Sequence, residues 1–382
     1  EIAYDQFQLP IQAEKRIYKA NGPALTTATS GDELTVSSSK VNFVFNKKSG
    51  LVTSYKVDGT EYFKDGFGIQ PNFWRAPNDN DYGNGAPKRL QVWKQSSKNF
   101  HVTDVKMTTE NKVVSLKATY LLAAGNLYVV TYRIYPSGIV NVSAQFTSTD
   151  MQAAETEVSE ATRMATFTPG SDAARKAASK LEVPRIGVRF RLPAQMNNVQ
   201  YFGRGPEENY IDRNHGTLVG VYKTTADKMY FNYVRPQENG HHTDTRWIAL
   251  SPDKGNGLAI VADSLIGFNA LRNSIEDFDS EEALPHPYQW NNFSPEEVAN
   301  HDEKAARNVL RRMHHVNDIT PRDFVEVCVD MKQQGVGGYD SWGARPEPFH
   351  QIPANRDYSW GFTLVPVRSA SQANEVAKYD YQ

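Results

Sequence analysis

Apolar and polar residues alternate with a period of two along several stretches of the chain, which is the pattern of a β-strand with one buried face. Clusters of Gly, Pro, Asn and Ser, which favour tight turns, separate these stretches. The clearest runs predict strands at Val41–Asn46, Leu127–Tyr135, Ile139–Phe146, Ile186–Leu192 and Phe324–Met331. Strands at this spacing predict an all-β chain that forms a large antiparallel sandwich.

Helical signals are few. The strongest is Ser294–Glu297, which combines a capping Ser, a Pro at the first helical position and a Glu at the third. The Ala- and Lys-rich stretch 171–180 is polar on all sides and predicts an exposed loop or a short helix. Because strands do not alternate with long amphipathic helices, the pattern excludes a Rossmann domain and a (β/α)8 barrel.

Composition narrows the function classes. The 382 residues include 42 Lys and Arg against 44 Asp and Glu, a net charge of −2 that argues against a nucleic-acid binder and a polybasic membrane-surface protein. No window approaches the ~18 apolar residues of a membrane span. We therefore expect neither nucleic acid nor a membrane as a partner. The single cysteine, Cys328, excludes a disulfide within the chain and lies in an alternating run, where it is expected as a small buried group.

The densest polar motif is Tyr201–Arg213, in which two glycines and a proline force the backbone through tight turns. A catalytic interpretation uses Glu207 or Glu208 as a general acid beside Asp212. A structural interpretation, in which arginines lock the turn through bonds to carboxylates, is favoured by the composition. The residues available for that network are Arg204, Glu208, Asp212 and Arg213.

Two further segments invite a metal interpretation. His241 and His242 are adjacent, but neighbouring residues of a strand point to opposite faces, so a hydrogen-bonded loop is the favoured interpretation. The segment 72–85 is rich in Asn and Asp oxygens, yet it lacks the spacing of a twelve-residue calcium loop and predicts an Asx-rich turn. We therefore predict no metal site in this chain.

The last motif is Gly335–Gly343, a glycine-rich run that contains Trp342. Glycines allow close approach to a ligand or to another backbone, and the indole could stack on a sugar face. The alternative is that Trp342 fills a core or an interface. Composition alone does not decide between these two interpretations.

These motifs, in this order, resemble the C-terminal part of the large β-galactosidases of glycoside hydrolase family 2. The resemblance covers roughly residues 30–368, and residues 1–28 are similar to the tail of the preceding immunoglobulin-like domain of that family. The matching segments are Arg75–Asp81, Gly203–Pro206 with Glu208–Tyr210 and Asp212–Arg213, Pro236–Gly240, and Gly337–Trp342. Residues 84–89 diverge from the family pattern, and Tyr339 stands where the family has Asp.

The resemblance implies an antiparallel β-supersandwich of the galactose mutarotase type. We predict three segments: 1–28 as the tail of the preceding domain and a linker, 29–368 as the supersandwich domain, and 369–382 as a polar tail that frays. It further implies that Trp342 binds substrate, with Tyr82, Gly83 and Asn84 bordering the same pocket.

The resemblance places the catalytic glutamates of a retaining glycosidase on a separate barrel domain, so we expect no catalytic residue here and an inactive chain when alone. The pair Asn374–Glu375 resembles the acid/base motif but lies in the polar tail. The implied partners are a β-galactoside and the barrel domain, in a homo-oligomer. No cofactor is expected in this chain, whereas magnesium and sodium are compatible with the whole enzyme. The compartment stays open.

Three alternatives remain. The start at Glu1 and the stub 1–28 favour a piece of a longer chain over a natural small subunit that pairs with a large one. A carbohydrate-binding module would bind galactosides through Trp342. An aldose epimerase would need a His acid and a Glu base, for which His215, His286 and Glu326 are available without any spacing that selects them.

Overall fold

The computed structural model describes residues 5–10, 14–148, 182–279, 315–337, 340 and 343–381. Their strands are β1 (Arg16–Ile17), β2 (Thr26–Ser30), β3 (Glu33–Ser37), β4 (Val41–Asn46), β5 (Leu51–Val57), β6 (Thr60–Glu61), β7 (Gln70–Asn72), β8 (His101–Glu110), β9 (Val113–Leu121), β10 (Leu127–Ile134), β11 (Val140–Thr147), β12 (Arg185–Pro193), β13 (Asn198–Gly205), β14 (Leu218–Thr225), β15 (His242–Ser251), β16 (Gly257–Leu271), β17 (Phe324–Gln333), β18 (Tyr358–Val367) and β19 (Tyr379–Asp380).

The helices in the same residues are short. They are α1 (Asp79–Gly83), α2 (Ala86–Arg89), α3 (Gln91–Lys98), α4 (Ala226–Met229), α5 (Ile275–Phe278) and α6 (Ala373–Val376), with 3-10 turns at Lys64–Gly66, Val316–Asp318, Pro348–His350 and Ala370–Gln372. None of the helices in the described part of the chain is long and apolar enough to cross a lipid bilayer. The helix predicted at Ser294–Glu297 and the stretch 171–180 lie outside the described residues.

The all-β antiparallel prediction is confirmed. All five predicted strands are present, as β4, β10, β11, β12 and β17, with ends that shift by one or two residues. The strands form a twelve-stranded sheet whose main path runs β14-β13-β15-β16-β18-β11-β10-β9-β8, and a five-stranded sheet in the order β2-β3-β4-β5-β6. In the large sheet, β17 joins β16 to β12, which pairs in turn with β7.

The five-stranded sheet packs on the large sheet through buried aromatic side chains. The rings of Phe43 on β4 and Tyr132 on β10 lie 5.6 Å apart. The Tyr55 hydroxyl donates to the carbonyl of Gly138 at 2.6 Å, in the turn between β10 and β11. Gly138 has φ +92°, and a β-carbon there would lie 2.6 Å from Val57, so this interface requires glycine.

The alternating pattern fails at the centre of the large sheet, where β12 and β17 are buried on both faces. Layers that cover both faces of a sheet leave no solvent side for polar residues. Four charged residues of these two strands, Arg185, Arg189, Glu326 and Asp330, are therefore buried and paired with one another or with neighbours.

Both chain ends differ from the sequence predictions. Thr26–Ala28, assigned to the linker, belongs to β2, which pairs with β3. The prediction that 369–382 frays is wrong for the described part, 369–381, because Ala373 and Tyr381 are buried and β19 pairs in parallel with β1.

Candidate functional site

The Asn- and Asp-rich segment folds into α1 instead of an open turn. Asn78 Oδ1 accepts from the backbone N–H of Asp81 at 2.8 Å, and Asp81 Oδ2 accepts from the backbone N–H of Asn78 at 3.1 Å. This reciprocal capping box satisfies two of the donors that a helix start leaves free. The signal Asn-x-x-Asp is present in the sequence. Two of the side chains considered for calcium, Asn78 and Asp81, thus use their oxygens to cap the helix.

Asp81 also holds Arg75, which lies almost completely buried beneath α1. The guanidinium donates to both carboxylate oxygens, at 3.1 Å from Nε and 2.9 Å from Nη2. It then donates to the carbonyls of Gln334 and Gly335, at 2.7 and 3.0 Å. Bidentate pairing fixes the orientation of the guanidinium, so Arg75 anchors the backbone that leads into the glycine-rich segment.

Asp212 secures the same backbone from the opposite side. Its carboxylate accepts from the N–H groups of Val336 and Gly337, at 3.0 and 2.9 Å. Asn78 Nδ2 donates to the Val336 carbonyl at 3.2 Å. Residues 334–337, which we call the entry stem, are therefore held at four successive residues by side chains from distant parts of the sequence.

Residues 343–345, the exit stem, return against α1. Gly343 has φ +106°, and a β-carbon on it would lie 2.4 Å from the Gly83 carbonyl carbon and 2.6 Å from the Asn84 nitrogen. The two stems also meet, because a β-carbon on Gly337 would lie 2.6 Å from the Ala344 carbonyl oxygen. The structure thus brings Gly83 and Asn84 together with the chain on both sides of residues 338–342.

Of the sequence-predicted substrate residues, Gly83 is exposed and Asn84 is half-buried. Tyr82 is 9% exposed, and the Arg235 guanidinium lies 3.7 Å from its ring centroid. Burial, reinforced by the charge of Asp279, raises the pKa of Tyr82 to about 12, so the phenol is neutral at physiological pH. Trp342 lies outside the described residues, and its chain neighbour Gly343 contacts Gly83 and Asn84.

The turn motif 201–213 forms ion pairs, as the structural interpretation predicts, although only one pair lies within the motif. Glu208 accepts from Arg213 and from the Gly240 N–H, each at 2.7 Å. Arg204 pairs with Asp244 instead of a carboxylate of the motif. Asp212 supports the entry stem and does not pair with Glu208 as an acid–base couple.

The two adjacent histidines are buried and hydrogen-bonded. His241 Nδ1 lies 2.9 Å from Asn269 Oδ1, and the His242 nitrogens lie 3.1 Å from the Gly240 carbonyl and 3.2 Å from the Pro206 carbonyl. Burial lowers the pKa of both rings. A neutral His242 ring carries one N–H and donates to only one of its two carbonyl neighbours at a time. Their ring nitrogens therefore serve the packing of this loop.

Sequence reasoning missed a buried charged network at the end of β12. Arg185 donates to Glu238 and Asn269, each at 3.0 Å, and its Nε lies 3.2 Å from Asp330 Oδ2. Burial raises the pKa of Asp330 to about 7 despite the nearby guanidinium. The pairing of the strands would have revealed it. Asp330 on β17 pairs with Gly187 on β12, which is two residues from Arg185.

The residues proposed for an epimerase are not brought together as an acid–base pair. Glu326 is buried and accepts from Arg191 at 2.8 Å and from the Ile275 N–H at 3.2 Å, so its carboxylate is already held by neighbours. His215 is exposed, and His286 lies outside the described residues. Cys328 is buried as predicted, and burial raises its thiol pKa.

The chain matches the model of a known protein family. The family described as "Beta galactosidase small chain" matches residues 37–364. The chain belongs to this family. A β-galactosidase of Priestia megaterium is 33% identical over 370 residues, which are 96% of this chain and 30% of that protein. One of Streptococcus thermophilus is 26% identical, over 85% of this chain and 26% of that protein.

This small-chain domain therefore spans less than a third of the length of these relatives. Among solved structures, a putative mutarotase of Salmonella typhimurium has a TM-score of 0.41 at 9% identity, over 93% of this chain and 97% of that one. Galactose 1-epimerase of Lactobacillus acidophilus has a TM-score of 0.42 at 8% identity, over 91% and 98%.

Proposed function

We propose that this chain is the C-terminal domain of a family 2 β-galactosidase that hydrolyses terminal β-D-galactosides. In this proposal the domain completes the substrate pocket, and the two catalytic glutamates lie on the barrel domain of the same enzyme. The observation that carries the proposal is the family match over 37–364, together with the packing of Gly343 on Gly83 and Asn84.

The site residues follow from this assignment. Trp342 presents its indole to the part of the substrate that is not the galactosyl group, because aromatic faces stack well on sugar rings. Gly83 and Asn84 border the same pocket with backbone and amide groups. Tyr82 contributes indirectly, since its ring is packed under Arg235. The fixed stems support this role, because a binding residue acts best when its backbone is held in place.

Catalysis requires groups that we place elsewhere in the enzyme. A retaining glycosidase needs two carboxyl groups about 5–5.5 Å apart, one as acid/base and one as nucleophile. Four carboxylates with buried side chains, Glu182, Glu208, Glu326 and Asp81, are each bound by arginine. Magnesium, sodium and the homo-oligomer contacts belong, in this proposal, to the whole enzyme.

The test is complementation. We expect this chain alone to leave a chromogenic β-galactoside intact, and activity to appear after mixing with a separately produced fragment that carries the barrel domain. Trp342→Ala should then raise KM, while Trp342→Phe, which keeps an aromatic face, should restore much of the affinity. Hydrolysis by this chain alone would overturn the assignment of roles.

A natural small subunit predicts the same chemistry with a different assembly, and co-purification of a large partner from the source would favour it. A carbohydrate-binding module predicts that this chain alone binds galactosides and that Trp342→Ala abolishes the binding. Isothermal titration with a galactoside distinguishes this second candidate from the complementing domain.

A further inference from the structure

A buried carboxylate outside the predicted site links both of its halves. Glu182 lies just before β12, and its side chain is 2% exposed. One carboxylate oxygen accepts from Arg89 and the other accepts from Arg345, the latter at 2.7 Å. Since each oxygen serves a different guanidinium, the Glu182 carboxylate bridges two arginines that are far apart in sequence.

Each arginine leads to the candidate site. Arg89, at the end of α2, donates from Nη2 to Asn84 Oδ1 at 3.1 Å. Arg345 is the last residue of the exit stem, two residues after Gly343, which packs on Gly83 and Asn84. Glu182 therefore connects a pocket residue and the exit stem through a single charged group.

The backbone that carries Glu182 is itself fixed from another part of the fold. The N–H of Val183 donates to the Ile352 carbonyl at 2.8 Å, and Glu182 forms a bridge with Pro353. Burial alone would raise the pKa of Glu182, but Arg89 and Arg345 outweigh that effect and lower the pKa, so the carboxylate stays ionised. An ionised bridge between two guanidinium groups gives short, directional hydrogen bonds.

We propose that Glu182 is a positioning residue for β-galactoside binding: it fixes Asn84 through Arg89 and the exit stem through Arg345. The proposal rests on the proposed function of this site. Glu182 does not touch substrate in this scheme. It acts only by setting where Asn84 and the end of the exit stem lie.

The variant that tests the bridge is Glu182→Gln in the whole or reconstituted enzyme. A neutral amide keeps the size of the side chain but removes the charge and one acceptor, so both arginines lose a strong bond. Small misplacements of binding groups have large effects, and we expect KM for a chromogenic galactoside to rise about tenfold while kcat changes little.

A matched control separates positioning from stability. Glu326 is also a buried carboxylate between two arginines, Arg189 and Arg191. It lies on β17, seven residues before Gln333 at the end of that strand, or about 24 Å at 3.4 Å per residue. Glu326→Gln should lower the melting temperature as Glu182→Gln does, with KM unchanged.

The route through Asn84 has its own test. If Glu182 acts on the pocket through Asn84, the effects of Glu182→Gln and Asn84→Ala on KM should be strongly non-additive, since coupled residues do not contribute independently. Full additivity would overturn this route. If Glu182→Gln does not fold, Arg345→Gln replaces it as the test variant, because Arg345 is more exposed. A raised KM in that variant supports the proposal, and an unchanged KM overturns it.

Failure of the two proposals can be told apart. If Trp342→Ala leaves KM unchanged, the function proposed for this site is wrong. If Trp342→Ala raises KM but the folded Glu182→Gln enzyme keeps the parental KM, or if Glu326→Gln raises KM equally, the site stands and the positioning role of Glu182 falls.

Discussion

Gly343 lies so close to Gly83 that a β-carbon on Gly343 would fall 2.4 Å from the Gly83 carbonyl carbon. The contact joins the end of α1 to the glycine-rich segment, which are about 260 residues apart in the chain. It requires that position 343 have no side chain and that its backbone adopt φ +106°, which L-residues with a β-carbon disfavour.

The first prediction concerns this contact. Gly343→Ala should displace the exit stem from Gly83, raise KM severalfold in the complemented enzyme and cost about 1–3 kcal/mol of stability through backbone strain. Kinetics and thermal unfolding measure the two effects. Gly59→Ala is the control, because Gly59 has φ +80° with nothing near its missing β-carbon. An equal rise of KM in both variants would contradict a specific role for the Gly343 contact.

The second prediction distinguishes support from catalysis at Asp212. Its carboxylate accepts two backbone N–H groups of the entry stem, so Asp212→Ala should cost about 1.5–3 kcal/mol of stability and weaken substrate binding. The pH dependence of kcat should keep its shape. A loss of the acidic or basic limb of that profile, measured at saturating substrate, would instead identify Asp212 as an acid–base residue.

The third prediction concerns Asp330 and pH. Burial raises the pKa of this carboxyl from 3.8 to about 7, with Arg185, Glu238 and His241 as the charged or titratable neighbours of the network. Between these two pKa values the unfolded chain has lost the proton that the folded chain keeps. The contribution of Asp330 to the free energy of unfolding is therefore fully present below pH 3.8 and is lost as the pH rises to about 7.

The measurement compares Asp330→Asn with the parent chain by urea unfolding at several pH values. Because the amide does not titrate, the stability of the variant relative to the parent should improve with rising pH by about 4 kcal/mol over this interval. A difference that stays constant from pH 4 to pH 7 would show that Asp330 is ionised throughout. The part of the substitution's cost that does not depend on pH cancels in this comparison.

The fourth prediction concerns the C-terminal segment. Tyr381 is buried, and its carbonyl accepts from the Tyr135 hydroxyl at 2.6 Å. Tyr381→Ala should lower the free energy of unfolding by about 3 kcal/mol, in the range of buried aromatic truncations. Phe349→Ala, at a side chain that is 72% exposed, should stay within about 0.5 kcal/mol of the parent. An equal free energy of unfolding for Tyr381→Ala and the parent would show that the C-terminal segment does not stabilise the domain.

The sequence predicted those parts of the fold that depend on local patterns. Alternation located β4, β10, β11, β12 and β17, since a strand with one buried face leaves a period-two signal in its own residues. Alternation does not show that β12 and β17 are covered on both faces. The joint burial of Arg185 and Asp330 was therefore not predicted. Composition likewise suggested a frayed tail, because two buried side chains among many polar ones leave little signal.

For the candidate site too, the sequence predicted single residues but not the contacts between distant segments. Resemblance supplied Gly83, Asn84 and Trp342 as candidates, and the Asn-x-x-Asp cap of α1 was readable from the sequence. The side-chain contacts that fix the stems could not be predicted, because Arg75 and Gly335 are 260 residues apart and Glu182 joins Arg89 and Arg345 from two distant segments. Such contacts follow from how the sheet brings strand ends together, which no local pattern encodes.

The backbone of Gly337 lies against that of Ala344, so the entry stem and the exit stem are in contact. Since the two stems touch at their base, the chain between them is a closed loop whose ends stay fixed whatever its length. The entropy of closing a loop grows slowly, by about 0.6 kcal/mol for each doubling of its length. Insertions between residues 337 and 344 should therefore leave the sandwich intact, so this segment can change in length and sequence without refolding the domain.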